Sequence, residues 1–282
     1  MHLSKRGYYL NFLTDSESLP MSFSFLVPLG RTLFAVAIIT LGLEHLITGT
    51  FPVGLLPVSP DIPARLLLAY LMGTVLTAGG VGLLLGNRQA ALITGGVLLL
   101  LALLLHVPRW LANPYDGRVW TVLFELIALA GGAMWQASAY HQTTSAIPAT
   151  DGLSRLAVRY GPILFAVSLL VFGGLHLVYG PFVATLIPTW IPGHLFWAYF
   201  VGVAFLATGV SILLNKQVFP TTFLLGVMFG LWVLLLHGPR VVAAPRIEAE
   251  WTSLLVALAM SGLSLTLAGA IRSGVQPIRA LH

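Results

Sequence analysis

The chain has 282 residues, of which 57% are hydrophobic and 8% charged, with a net charge of +5 at neutral pH and no cysteine. A soluble domain carries about a quarter of its residues as charges, so this composition, with a mean hydropathy of +0.92, excludes one. The lack of cysteine likewise excludes disulfides, thiolate catalysis and cysteine-held metals. What remains is an integral membrane protein. Its basic excess calls for no nucleic-acid partner, because topology and contact with anionic lipid headgroups account for it.

Taken in chain order, the first 20 residues, "MHLSKRGYYLNFLTDSESLP", are polar and lack the basic, apolar, small-residue order of a cleavable signal. Met21 is a second candidate start, since "MSFSFLVPLG" leads straight into an apolar run. Eight apolar windows follow, at 30–49, 65–86, 90–107, 119–138, 160–180, 195–214, 218–237 and 251–271. Each is close to the ~20 residues that cross a hydrocarbon core as helix. The alternating polar and apolar segments of a membrane β-barrel are missing, so helices are left to satisfy the backbone in lipid. The predicted fold class is all-α, a polytopic membrane protein with eight transmembrane helices.

The chain repeats itself at an offset of 131 residues. "LLLHVPRW" and "LLLHGPRV" end at Trp110 and Val241; Gly42, His45 and Gly49 match Gly173, His176 and Gly180; Pro57 matches Pro188, and Trp120-Thr121 matches Trp251-Thr252. Apolar matches are cheap in this composition, but paired His, Pro, Arg and Trp at one offset are not. The predicted organisation is an N-terminal cytoplasmic segment (1–29), a four-helix unit (30–138), a polar linker (139–159), a second four-helix unit (160–271) and a C-terminal tail (272–282). An even number of spans per unit makes the duplication parallel rather than inverted, giving two tandem four-helix bundles. Tight turns, "GNRQ" and "LNKQ", join the second and third helices of each.

Lysine and arginine set the orientation. Nine fall on the side of both termini (Lys5, Arg6, Arg31, Arg88, Arg155, Arg159, Lys216, Arg272, Arg279) and five on the other (Arg65, Arg109, Arg118, Arg240, Arg246), which predicts cytoplasmic termini. His45 lies 14 residues after Arg31, and His106 lies 18 after Arg88. At about 1.5 Å per residue both sit roughly 20–27 Å from the cytoplasmic face. Glu44, Arg109 and Glu125 fall at the same outer level. Ionisable groups in lipid face a bundle interior or a wet cavity and pair with one another, so Glu44, His45, His106, Arg109 and Glu125 form the candidate ligand site. In this arrangement the proline ends the third helix, and the arginine fork suits a carboxylate or a ligand oxygen.

His176, His237 and Arg240 are the second-unit equivalents, but Glu44 and Glu125 become Leu175 and Val256. The first unit is therefore the expected home of the site, and the second a scaffold or degenerate copy. The bland reading is an interfacial Arg with a His bonded to a free carbonyl at a helix end. Trp110, Trp120, Trp190, Trp197 and Trp251 read as an aromatic belt. The glycine pairs Gly82/Gly86 and Gly226/Gly230 read as close helix contacts. No metal site is expected, and His2, His141, His194 and His282 are given no role.

"FGGLHLVYGPFVATLIPTWIPGHLFWAYFVGVAFLATGVSILL", and more faintly "LGLEHLITGTFPVGLLPVSPDIPARLLLAYLMGTVLTAGGVGLLL", resemble the DoxX family of small four-helix bacterial membrane proteins. The carriers are Gly-x-x-His at Gly42–His45 and Gly173–His176, Ile-Pro-x-Trp-Ile-Pro at 187–192, and a glycine-rich second helix; the first unit's "LPVSPDIP" lacks the Trp. The resemblance implies a bacterial cytoplasmic (inner) membrane and quinone-linked redox chemistry. The histidines would then hold a quinone carbonyl, or alternatively ligate haem b axially, with a redox partner protein supplying the electron chemistry, at most as a membrane subunit of an oxidoreductase. A small-solute transporter and a non-catalytic membrane scaffold for a partner protein are the competing readings.

Overall fold

A computed structural model describes residues 23–139 and 152–273. His2, His141, His282, both candidate starts, most of the 139–159 linker and nearly all of the 272–282 tail lie outside the described residues. Every regular element among the described residues is helical, and eight helices are long and apolar enough to cross a membrane. In the first half these are α1 (Leu26–Thr48), α2 (Arg65–Leu84), α3 (Arg88–Leu101) continued by α4 (Val107–Ala112), and α5 (Gly117–Ala139). The second half has α6 (Gly152–Val178), a short α7 (Gly180–Thr185), α8 (His194–Leu214), α9 (Val218–Trp232) continued by α10 (Gly238–Ala243), and α11 (Glu248–Arg272). Exposed side chains such as Leu67, Leu104, Phe196 and Leu224 form the apolar face that such helices turn toward lipid.

Two boundaries differ from expectation for local reasons. α6 begins at Gly152, before residue 160, because "GLSRLAVRY" is too polar for a hydropathy window yet holds good helix formers. Pro108 does not end its helix. A π-segment, Ala102–His106, precedes it, closed by a bond from the Val107 N–H to the Ala102 carbonyl, and the helix resumes as α4. Proline lacks an N–H and crowds the carbonyl four residues back; a π-turn is a wider turn that single helices insert at such places. The second half repeats the device at Val233–His237, where Gly238 N–H bonds Val233 O ahead of Pro239. Each π-segment thus ends on the histidine of the repeated motif.

Neighbouring spans pack in chain order: α1 on α2, α3 on α5, α6 on α8, and α9 on α11. Two of the most extensive interfaces, α1 with α11 and α5 with α6, join the halves. The eight spans therefore close a ring with one shared core rather than standing as separate bundles, and α5 and α11 meet across its middle. Between apolar helices in lipid, close van der Waals packing is the main attraction, and glycines permit it. A side chain on Gly131 would meet the Gly161 carbonyl at 2.6 Å, and the converse holds; Gly30 and Gly262 do the same for α1 and α11. Gly226 packs α9 against Leu265 of α11, whereas Gly82 and Gly86 serve the α2–α3 turn, Gly82 beside Ala90 and Gly86 at φ 78°. At the opposite end from the histidines, the Arg272 guanidinium lies 5.5 Å from the Phe23 ring and 4.9 Å from the Phe219 ring, fastening α11 to α9 and to the start of α1.

Gly30→Val is expected to cost about 1–3 kcal/mol, as overpacking does, by forcing α1 off α11. A lower midpoint in thermal unfolding in detergent, with Gly96→Val as the control at an open position, checks this.

Candidate functional site

The repeat places a histidine at equivalent points on α1 and α6, and the helix itself orients each ring. His45 Nδ1 is 2.7 Å from the Leu41 carbonyl and His176 Nδ1 is 2.8 Å from the Phe172 carbonyl. Since a carbonyl only accepts, Nδ1 carries the proton in both, and the ring edges pack against Phe51 and Phe205 at 5.5 and 5.1 Å. Glycine contacts set their depth, for Gly42 lies on Gly73 and Gly173 on Gly202. The two histidines then diverge. His45 is fully buried with no partner for Nε2, while His176 is half-buried and faces a cavity.

That cavity holds about 330 Å³ and is enclosed mostly by the second half. Its wall is aromatic: Phe172, Trp197, Phe205, Phe229 and Trp232, with Phe205 and Phe229 stacked at 5.4 Å and Trp197 set edge-on to Trp232 at 6.0 Å. Its polar lining is His176, His237, Arg240, Ser253 and, from α5 of the first half, Thr121 and Glu125. Glu125 enters because α5 packs on α6; it is half-buried and has no ion-pair or hydrogen-bond partner among the described residues. A second, larger cavity of about 1080 Å³ adjoins the first, sharing Thr121, Glu125, His176 and Ser253, and reaches His106, Arg109 and Arg118. Glu125 stands where the two spaces meet.

The sequence-derived cluster is divided accordingly. Glu125, His106 and Arg109 come together along the larger cavity, joined by His176, and the smaller one adds His237 and Arg240. Glu44 and His45 line neither. Arg109 donates to the Pro57 carbonyl at 3.4 Å rather than pairing with Glu44 or Glu125. Arg240 instead binds Glu250, through two contacts of 2.8 Å, a carboxylate in the first turn of α11 that sequence reasoning passed over. Trp120 and Trp251 act as structural pins, their indole N–H groups donating to Pro114 and Pro245 carbonyls at 2.7 and 2.9 Å. Trp197, read as part of an aromatic belt, lines the cavity. At the exposed rim Arg118 hydrogen-bonds Asp116 at 3.0 Å and holds its carboxyl below the usual carboxylate range. No cluster that could hold a metal ion occurs among the described residues.

The halves differ most in the connection after the first helix of each. In the first half Phe51, Leu55 and Leu56 are buried, at 3%, 3% and 1% exposure, and the Leu55 carbonyl accepts from His106 Nε2 at 2.9 Å. The offset of 131 residues puts Phe182 and Leu186 opposite Phe51 and Leu55, yet these are 58% and 42% exposed. The cause is local: Gly180-Pro181 starts α7 at once, a proline at the first turn being pre-shaped for helix, and the segment winds up rather than dipping inward. In the first half the connection supplies a carbonyl to His106, whereas the equivalent His237 lines the smaller cavity. The identical Phe and Leu at the repeat offset were the available signal, but nothing in it told which copy folds inward.

No known family's sequence profile, no curated protein and no solved structure matches the chain. The functional reading therefore rests on the residues themselves.

Proposed function

We propose that this is a DoxX-like, tandem-duplicated protein of the bacterial cytoplasmic membrane, with cytoplasmic termini, that holds a quinone as a membrane subunit of a redox system. The observation that supports this reading is the smaller cavity, an aromatic-walled space inside a lipid-facing ring whose polar groups converge at one end. Ligand sites are typically clefts of this make-up, mostly apolar with a few placed polar groups, and about 300–1,000 Å³ in size. A quinone has matching parts: a flat apolar ring and isoprenoid tail for the aromatic wall, and carbonyl oxygens for His237 and Arg240, while His176, whose Nδ1 proton goes to the Phe172 carbonyl, offers Nε2 as an acceptor for the hydroxyl of the reduced form. Glu125, where the cavities meet, is placed to exchange protons between the bound molecule and the wider space. The same chemistry placed in the second unit, with one carboxylate contributed by the first, revises the expectation of a first-unit site.

Purified, detergent-solubilised protein is expected to release about one quinone per chain on organic extraction. Liquid chromatography of the extract and optical spectra of oxidised and dithionite-reduced protein provide the check. An empty extract from folded protein would sink the proposal in favour of transport or scaffolding, and a haem spectrum would reassign the histidines to axial ligation.

A further inference from the structure

The two halves allow a comparison within one chain. His106 and His237 close equivalent π-segments and follow the same leucine run, but only His106 has a hydrogen-bond partner: the backbone carbonyl of Leu55, delivered by the inward connection. In the second half that carbonyl is gone, because the equivalent residues lie in and after α7 with their side chains exposed. His237 is left with no hydrogen-bond partner among the described residues, its Nδ1 buried, and it lines the smaller cavity. A buried ring nitrogen without a partner is uncommon, since desolvated polar groups are nearly always paired. A molecule in the cavity that met His237 Nε2 would supply what the Leu55 carbonyl supplies to Nε2 of His106.

We infer that His237 donates a hydrogen bond through Nε2 to a carbonyl oxygen of the molecule held in the second-half cavity, as His106 does through Nε2 to the Leu55 carbonyl. The charges nearby narrow the class further. Arg240 is already neutralised by Glu250 at 2.8 Å, and the unpaired carboxylate of Glu125 also faces the space. The cavity thus offers hydrogen-bond donors without spare positive charge, which favours a neutral carbonyl compound over a carboxylate. Phe205 and Phe229, stacked beside His176, present a flat wall that suits a planar ring. This inference rests on the reading of the cavity as a site for a lipophilic ligand.

The test uses the full chain in detergent with two probes of one bicyclic shape: menadione, which carries two ring carbonyls, and methylnaphthalene, which carries none. Binding is read from the fluorescence of the cavity tryptophans, Trp197 and Trp232. The wild-type protein is expected to bind menadione about tenfold more tightly than the hydrocarbon. His237→Ala should abolish that preference and leave the hydrocarbon affinity unchanged; His237→Gln, which keeps an N–H donor, should restore part of it. His106→Ala should lower the unfolding temperature and leave the preference intact. Retained preference in His237→Ala, or equal binding of both probes by the wild type, overturns the assignment to His237 while the cavity remains a lipophile site. Binding of neither probe by the wild type overturns the cavity reading itself. Should His237→Ala not fold, the wild-type comparison and His237→Gln decide the matter.

Discussion

Phe51→Ala is expected to destabilise the protein by about 2–4 kcal/mol, while Phe182→Ala, at the matching place in the repeat, should change stability by no more than about 0.5 kcal/mol. Phe51 is 3% exposed, its ring meets His45 edge-on at 5.5 Å, and the Arg65 guanidinium lies 6.0 Å above it. Removing it leaves a hole beneath a connection that also carries the Leu55 carbonyl to His106. The cost should fall somewhat below that of an equivalent truncation in a soluble core, because the unfolded reference in lipid keeps part of its apolar contacts. Phe182 is 58% exposed, so its truncation removes little packing. Thermal unfolding of both variants in the same detergent checks the contrast; equal losses would show that the two connections are packed alike.

The second large effect is on ligand retention. Val201→Phe is expected to lower the bound quinone at least tenfold, with the unfolding temperature within a few degrees of wild type. Val201 lines the smaller cavity and is 8% exposed, so the added ring extends into space that a ligand of quinone size needs. Overpacking of a filled core costs about 1–3 kcal/mol, but a cavity of about 330 Å³ accepts the extra atoms without displacing its neighbours. Val210→Phe, on the same helix at an exposed position, is the control and should retain the ligand. Undiminished quinone in folded Val201→Phe would place the ligand elsewhere.

Much of the frame was legible along the chain. Length and hydropathy placed the helices because a membrane core sets a fixed apolar span, and starts such as Arg65, Arg88 and Val218 fall within a few residues of the windows. The repeat was legible too, since chemically distinctive residues at one offset do not recur by chance. Of the ionisable residues singled out along the chain, His106, Arg109, Glu125, His176, His237 and Arg240 line the joined cavities. Pro108 and Pro239 misled, because a proline announces a disturbed turn without saying whether the helix stops or takes up a π-turn and continues.

Glu44 and His45 share the level of the cavity residues but line neither space, and height along a helix could not tell which way a side chain faces around it. Glu250 was overlooked for the complementary reason: it is an ordinary first-turn acid until the fold brings Arg240 within 2.8 Å.

By itself the sequence determined the apolar character, the eight helices long enough to cross a membrane and the internal repeat. All of these follow from composition and from spacing measured along one chain. Only the tertiary structure decided that α5 crosses to α6 and carries Glu125 into the second half. It also decided that Phe51 and Leu55 turn inward where Phe182 and Leu186 turn out. These are choices among packings of similar local sequence, settled by which neighbours fill the space, and local pattern carries no record of that.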